Sequence, residues 1–205
     1  MHLQDAVTSK ALVGVSAQLC RKLDVTCENP LGAAVVSDAG GGVAMPIEAA
    51  FDGYVRLTDP KISPALYFLT APRDGGDLDL PTVPLASPVV AAGIVASAGG
   101  TTWDPERGIV LLNAFDCDEQ PAANITYSIG GGPDPKTFIF YLVNGLPTTA
   151  TTVTDDTGYG GLVNMPVGVS TIAATLAPSG RTVSNISILV RAGHITYSSV
   201  KPNGM

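Results

Sequence analysis

An all-β chain is expected, built as two antiparallel β-sandwiches joined by a connector with one short helix. Three observations predict it. The 205 residues include 23 Gly and 16 Pro, set as punctuation between short runs of Val, Ile, Leu, Thr and Tyr, a pattern of turns and strands rather than long helices. Several runs alternate apolar and polar residues with the two-residue period of a half-buried strand. The length exceeds the usual single-domain size, which favours two small domains over one large one.

In chain order, "VGVSAQL" (13–19) alternates as an edge or half-buried strand does. "AAVVS" (33–37) is continuous enough to be read as more deeply buried. "DAGGG" then supplies a turn, and "VAMPI" leaves it as a strand whose Pro46 must sit at an edge or strand end, having no N–H for the ladder. "GYVRLT" and "ALYFLT" are further strands, the second more buried because Leu66, Phe68 and Leu69 leave no polar face. After Ala71 the turn-rich "PRDGGDLDLPTVP" marks a boundary. The division is an N-terminal sandwich at 1–74, a connector at 75–105 and a C-terminal sandwich at 106–205.

Within the connector, "SPVVAAGIVASAGG" reads as a helix with Ser87 as N-cap, Pro88 at the first helical position and Gly99 or Gly100 as terminator. Gly93 weakens it, so packing of Val89, Val90, Ile94 and Val95 would have to hold it. The strand pattern resumes in "GIVLLNAFD", "NITYSI", "TFIFYLV" and "TTATTVT", then in "VSTIAATLA", "RTVSNISILVRA" and "HITYSSV". An isolated sheet this apolar would leave one greasy face in water, so two facing sheets are needed.

Charge narrows the function classes. Only 14% of residues are charged and 45% are hydrophobic, so the surface must be rich in small and hydroxyl residues, which suits protein contacts. The net charge of -7 repels phosphate backbones and argues against nucleic acid. No apolar run reaches membrane-spanning length; the nearest, 84–100, is broken by Pro88 and Gly93. "MHLQDAVTSK" has neither the basic start nor the apolar centre of an export signal.

Cys20 and Cys27 bracket "RKLDVT", close enough for a local bridge across a turn, while Cys117 stands alone. The bridge, the favoured reading, points to an oxidising compartment; the alternative is three buried thiols. Zinc is poorly served, since neither His2 nor His194 stands near the pair.

One device occurs twice. "SDAGGGVAMPI" and "TDDTGYGGLVNMPVG" each place acid before glycines, an apolar strand and a proline. Asp38, Asp155 and Asp156 suit bonds to turn amides, Gly40, Gly41, Gly42 and Gly158 permit tight reversal, and Pro166 with Gly168 turns the chain into the next strand. The default reading is a pair of sheet corners. Over 108–200 the string "TDDTGYGGLVNMPVGVSTIAATL", with the preceding "DCDEQPAANITYSI", resembles the carboxypeptidase regulatory-like domains, a transthyretin-like β-sandwich family. The N-terminal half is similar but lacks Pro-x-Gly after Pro46 and adds the cysteine pair. The resemblance implies Ig-like or transthyretin-like sandwiches in tandem, as in secreted or envelope-attached bacterial proteins, with an accessory, adhesive or structural role and no peptidase chemistry.

Tests for chemistry find little. His2 and His194 lie far apart without a metal-ligand motif, no serine sits in Gly-x-Ser-x-Gly, and Cys117 has no histidine partner in local sequence. "GGGPDP" lacks the Lys and Ser or Thr of a phosphate loop, and Pro133 and Pro135 remove two amide donors. Calcium is the main small-ligand alternative, through Asp74, Asp77 and Asp79 or through Asp116, Asp118 and Glu119, without full EF-hand spacing. Solvated turn carboxylates are the favoured reading of both groups. Trp103, Tyr127, Tyr141 and Tyr159 offer stacking surfaces for a glycan, although such aromatics are more often core. Asn124 and Asn185 head sequons that read as ordinary strand polar positions in a bacterial protein.

The expectation is therefore a noncatalytic, exported structural, adhesion or assembly module without a cofactor. It would act through a protein partner or self-association, with edge-strand pairing as mechanism and filament formation as the extreme case. A carbohydrate- or calcium-binding accessory module is the alternative.

Overall fold

The computed structural model describes residues 1–78, 80–99, 102–132 and 134–202; Asp79, Gly100 and Pro133, named above, lie outside them. The protein is mostly β, with one helix among the described residues, and divides into two compact units, Met1–Ala91 and Ala92–Met205.

The N-terminal unit contains β1 (Leu3–Asp5), β2 (Ser16–Arg21), β3 (Leu31–Val36), β4 (Pro46–Ile47), β5 (Gly53–Thr58), β6 (Ala65–Phe68), β7 (Gly76–Asp77) and β8 (Val83–Leu85). Its main sheet runs β6-β5-β2-β3, antiparallel throughout. Strand β6 is buried along its whole length, which is why its sequence shows no polar alternation. Strand β2 is an interior strand rather than an edge, with Ala17, Gln18, Leu19 and Cys20 all buried. Two ribbons complete the unit, parallel β1–β8 and antiparallel β4–β7. Pro46 opens β4, where a missing N–H disturbs the ladder least. Because β7 and β8 pair with β4 and β1, this unit runs past residue 74 into the segment read as connector.

Helix α1 (Pro88–Gly99) begins where its cap is placed: the Val90 N–H donates to Ser87 Oγ at 3.3 Å. Its buried seam is Ala91, Val95 and Ala98, at helical spacing, whereas Val89 is 82% exposed. The packing expected of Val89 is therefore corrected. Position along a 3.6-residue turn, not apolarity, selects the seam in a helix without a polar face.

The C-terminal unit contains β9 (Gly108–Ala114), β10 (Ile125–Ile129), β11 (Phe138–Val143), β12 (Leu146–Thr148), β13 (Tyr159–Met165), β14 (Gly168–Leu176), β15 (Arg181–Val190) and β16 (Ile195–Val200). Strands β12-β11-β13-β9-β16 form one sheet and β10-β14-β15 another. The sheets face each other through Tyr127 and Tyr141, whose rings stack at 5.8 Å while the Tyr127 N–H donates to the Tyr141 hydroxyl at 3.0 Å. Strand β16 pairs with β9 in parallel, a departure from the all-antiparallel expectation. "TTATTVT" is another departure, since β12 ends at Thr148. There the Thr148 and Thr151 hydroxyls accept the N–H groups of Ala150 and Val153, local bonds that compete with a ladder.

Candidate functional site

Strand β3 ends its sheet and is hydrogen-bonded to β2 alone. Gly32, Ala33 and Ala34 are exposed, and Val36 is 58% exposed. This overturns the deep burial expected of 33–36. Small apolar side chains read alike in sequence whether or not a second strand covers them. Ser37, beyond the strand, is buried: its hydroxyl donates to the Leu12 carbonyl at 2.7 Å and accepts the Val15 N–H at 2.9 Å.

The edge is held from both ends. At its start the ladder shifts register between Ala17 and Leu19, and the buried Gln18 amide donates to the carbonyls of Leu31 and Gly32. The loop that delivers β3 is tied to β2 by a disulfide between Cys20 and Cys27, with Cα atoms 5.3 Å apart. Inside that loop Asp24 accepts the N–H groups of Glu28 and Asn29. At the far end Asp38 turns the chain. From Asn29 to Ser37 no residue is ionisable, and Glu28 and Asp38 stand as carboxylates at the two ends.

The two acidic corners are built on backbone amides. Asp38 Oδ1 accepts the N–H groups of Gly40 and Gly42, each at 2.8 Å. Those bonds, Gly42 first, hold its carboxyl below the usual range. Gly41 has φ +76, and a Cβ there would lie 2.3 Å from the Leu3 carbonyl oxygen. Asp155 Oδ1 accepts the Thr157 hydroxyl and N–H, and its Oδ2 accepts the Asn144 N–H at 3.3 Å. Its carboxyl is lowered too, mainly by Thr157. Gly158 has φ +72, and a Cβ there would lie 2.4 Å from the Ala114 carbonyl oxygen. Asp156 is exposed, and Pro166 to Gly168 makes the reversal from β13 into β14.

The other named residues are dispersed. Among the described residues no three His, Cys, Asp or Glu side chains converge on a metal-sized site. Asp116 Oδ1 accepts the N–H groups of Asp118 and Gln120, while Asp74 and Asp77 are exposed. Tyr127 and Tyr141 lie in the core, and burial pushes both phenols up. Tyr159 is half-buried, and burial raises its phenol too. Trp103 Nε1 donates to the Arg107 carbonyl at 3.1 Å. His194 Nδ1 lies 2.7 Å from the Ala192 carbonyl. Cys117 is an exposed free thiol.

One cluster has no signal in the sequence. Arg107 grips Asp134 with two guanidinium nitrogens at 2.7 and 3.1 Å, and donates to the Asn164 carbonyl at 2.6 Å. The Asn164 side chain accepts the Asp104 N–H and donates to the Thr102 carbonyl. Asp134 accordingly holds Arg107 above its ordinary range and is itself lowered by it. These residues come from distant segments, and only the register break in β13 at Asn164, with φ 54, brings them together. Arg107, Asp134 and Asn164 bond one another and the adjoining backbone, as in a structural clasp.

The chain matches no family model and no curated protein sequence, so the carboxypeptidase regulatory-like resemblance is carried by the quoted motif alone. Among solved structures it is similar to the minor pilin GBS52 of Streptococcus agalactiae, at 13% identity and a TM-score of 0.32, covering 98% of this chain and 90% of that one. It is also similar to the shaft pilin SpaA of Lactobacillus rhamnosus GG, at 12% identity and 0.28, covering 97% and 88%. The Bacillus anthracis TIE protein is a third, at 12% identity and 0.29, covering 99% of this chain and 33% of that one. Scores of this size leave the architecture to be described from the chain's own strands. No helix among the described residues is long and apolar enough to cross a membrane.

Proposed function

We propose that the protein is a noncatalytic structural module of an exported or envelope-attached assembly, and that it works by accepting an extended strand at the edge of β3. The observation that carries this reading is a solvent-exposed strand with one open side and no ionisable residue along it. Soluble proteins usually blunt such an edge with charge, proline or a covering loop. Here Pro30 precedes the strand and the strand itself carries none of these within Leu31–Val36. Main-chain bonds to an added strand would supply affinity, and side chains alternating along it would set register. The disulfide supports the exported setting, since such bonds persist in oxidising compartments.

Amide exchange tests it. A synthetic strand of alternating Thr and Val with a lysine at each end, added in excess, is expected to slow exchange at residues 31–36 and to leave the buried strands β5 and β6 unchanged. Unaltered exchange at those residues across the titration removes the reading.

A further inference from the structure

The edge of β3 has a counterpart within the same protein. Strand β15 also ends its sheet, laddered to β14 alone, while near its end the Leu189 carbonyl accepts the Thr196 hydroxyl at 2.7 Å. Arg181 opens it and Arg191 follows it, and from Thr182 to Val190 no residue is ionisable. The acidic frame around β3, Glu28 to Asp38, and the basic frame around β15, Arg181 to Arg191, enclose uncharged stretches of equal length. We infer that these edges are complementary halves of one interface, so that β3 of one copy pairs antiparallel with β15 of the next, with Asp38 opposite Arg181 and Glu28 opposite Arg191. The inference rests on strand acceptance at β3 and adds the identity of the partner.

Exposure selects the antiparallel sense. With Asp38 opposite Arg181, the exposed run 32–36 meets 183–187, where Asn185 and Ser187 are exposed, and Ala34 falls opposite Asn185. A parallel pairing framed by the same charges would set that run against 185–189, where Leu189 is buried and its carbonyl already accepts the Thr196 hydroxyl. Asp38 and Arg181 carry the charge match. Among the described residues Asp38 and Arg181 have no ion-pair partner, and Asp38 Oδ1 carries both corner amides, leaving Oδ2 for a guanidinium. In a chain of net charge -7, copies repel unless they meet through uncharged edges framed by opposite signs. Because the two edges differ, each copy keeps one open when the other is used. Association is thus heterologous, closing into a ring or continuing as a chain according to the rotation it imposes.

An edge of about 30 Å is smaller than a standard interface, so assembly is read at roughly 0.1–1 mM protein. Sedimentation of the full chain carrying Cys117→Ser, which removes thiol coupling, should show a mass that climbs from monomer to dimer or larger with concentration. Ala34→Lys blocks β3, and Arg181→Glu sets like charge against Asp38. Both sites are exposed, so each variant should melt as the parent does and stay monomeric alone. Mixed one to one, the variants should form heterodimer and nothing larger, because each retains one intact edge. Val36→Lys is the second β3 block should Ala34→Lys melt early. A parent that stays monomeric to about 1 mM overturns the pairing; if the lysine-flanked peptide still protects β3, strand acceptance survives without the second copy. Dimerisation of the Arg181→Glu chain by itself would mean that β3 pairs with β3, and would overturn the assignment of β15.

Discussion

The corners at Asp38 and Asp155 use the same parts with different reach. Asp38 spends its hydrogen bonds on amides within four residues of itself. Asp155 binds its own turn with one oxygen and with the other reaches back eleven residues to Asn144, in the turn between β11 and β12. The glycines reverse the emphasis: Gly41 and Gly158 are both pressed against carbonyls from far along the chain, Leu3 and Ala114. An aspartate therefore makes a corner locally, whereas the need for a side-chain-free residue beside it is set by the strand packed above.

Substitution at these glycines should have the largest effect. Gly158→Ala and Gly41→Ala each place a methyl inside van der Waals contact of a carbonyl oxygen, at 2.4 and 2.3 Å, with positive φ. Each is expected to cost roughly 2–4 kcal/mol in urea unfolding. Equal losses would show that the two corners depend alike on their distant carbonyls; a near-neutral Gly41→Ala would show that the N-terminal corner relaxes.

Next in size is the disulfide that shapes the approach to β3. Cys20→Ser with Cys27→Ser should destabilise by about 2–3 kcal/mol, the loop-closure value for so short a loop. Exchange at residues 31–36 should rise more than exchange in β14, if the bridge acts on the N-terminal unit alone.

Asp155→Ala should cost about 1 kcal/mol, the usual loss for a side chain that caps turn amides. It should speed exchange at Asn144 as well as at Thr157. Asp38→Ala should act on Gly40 and Gly42 only. Spread of its effect to distant amides would break the contrast between a local and a reaching corner.

The smallest effect is the pH dependence. The carboxyls of Asp5, Asp24, Asp38, Asp134 and Asp155 all sit below their ordinary value in the folded protein, through bonds to Thr8, Asn29, Gly42, Arg107 and Thr157 respectively. A lowered carboxyl stabilises the fold at pH above its unfolded value, about 3.9, and loses that contribution as pH falls through the folded one. Melting temperature should be flat from neutral pH to about 5 and decline below about 4. Asp155→Ala should flatten part of that decline.

Legibility in sequence followed the range of the interactions. The strings at Gly53–Thr58 and Ala65–Phe68 are strands where they were expected, and Ser87 caps the helix it precedes. Residues 149–154 depart from the strand pattern because threonine has high β propensity while its hydroxyl also competes for nearby amides. The exposure of Ala33, Ala34 and Val36 is not legible in sequence because neighbours, not composition, decide it. The clasp of Arg107, Asp134 and Asn164 was invisible for the same reason: its members come from separate segments and share no spacing.

Glycine and proline punctuation, β-branched runs and aspartates ahead of turns determine that this chain is extended segments reversed at corners, since those preferences act within a few residues. Which strand lies inside a sheet and which ends it was decided only in three dimensions. A backbone edge is open or closed by what lies beside it, and the hydrogen-bonding capacity of a strand is the same in sequence either way.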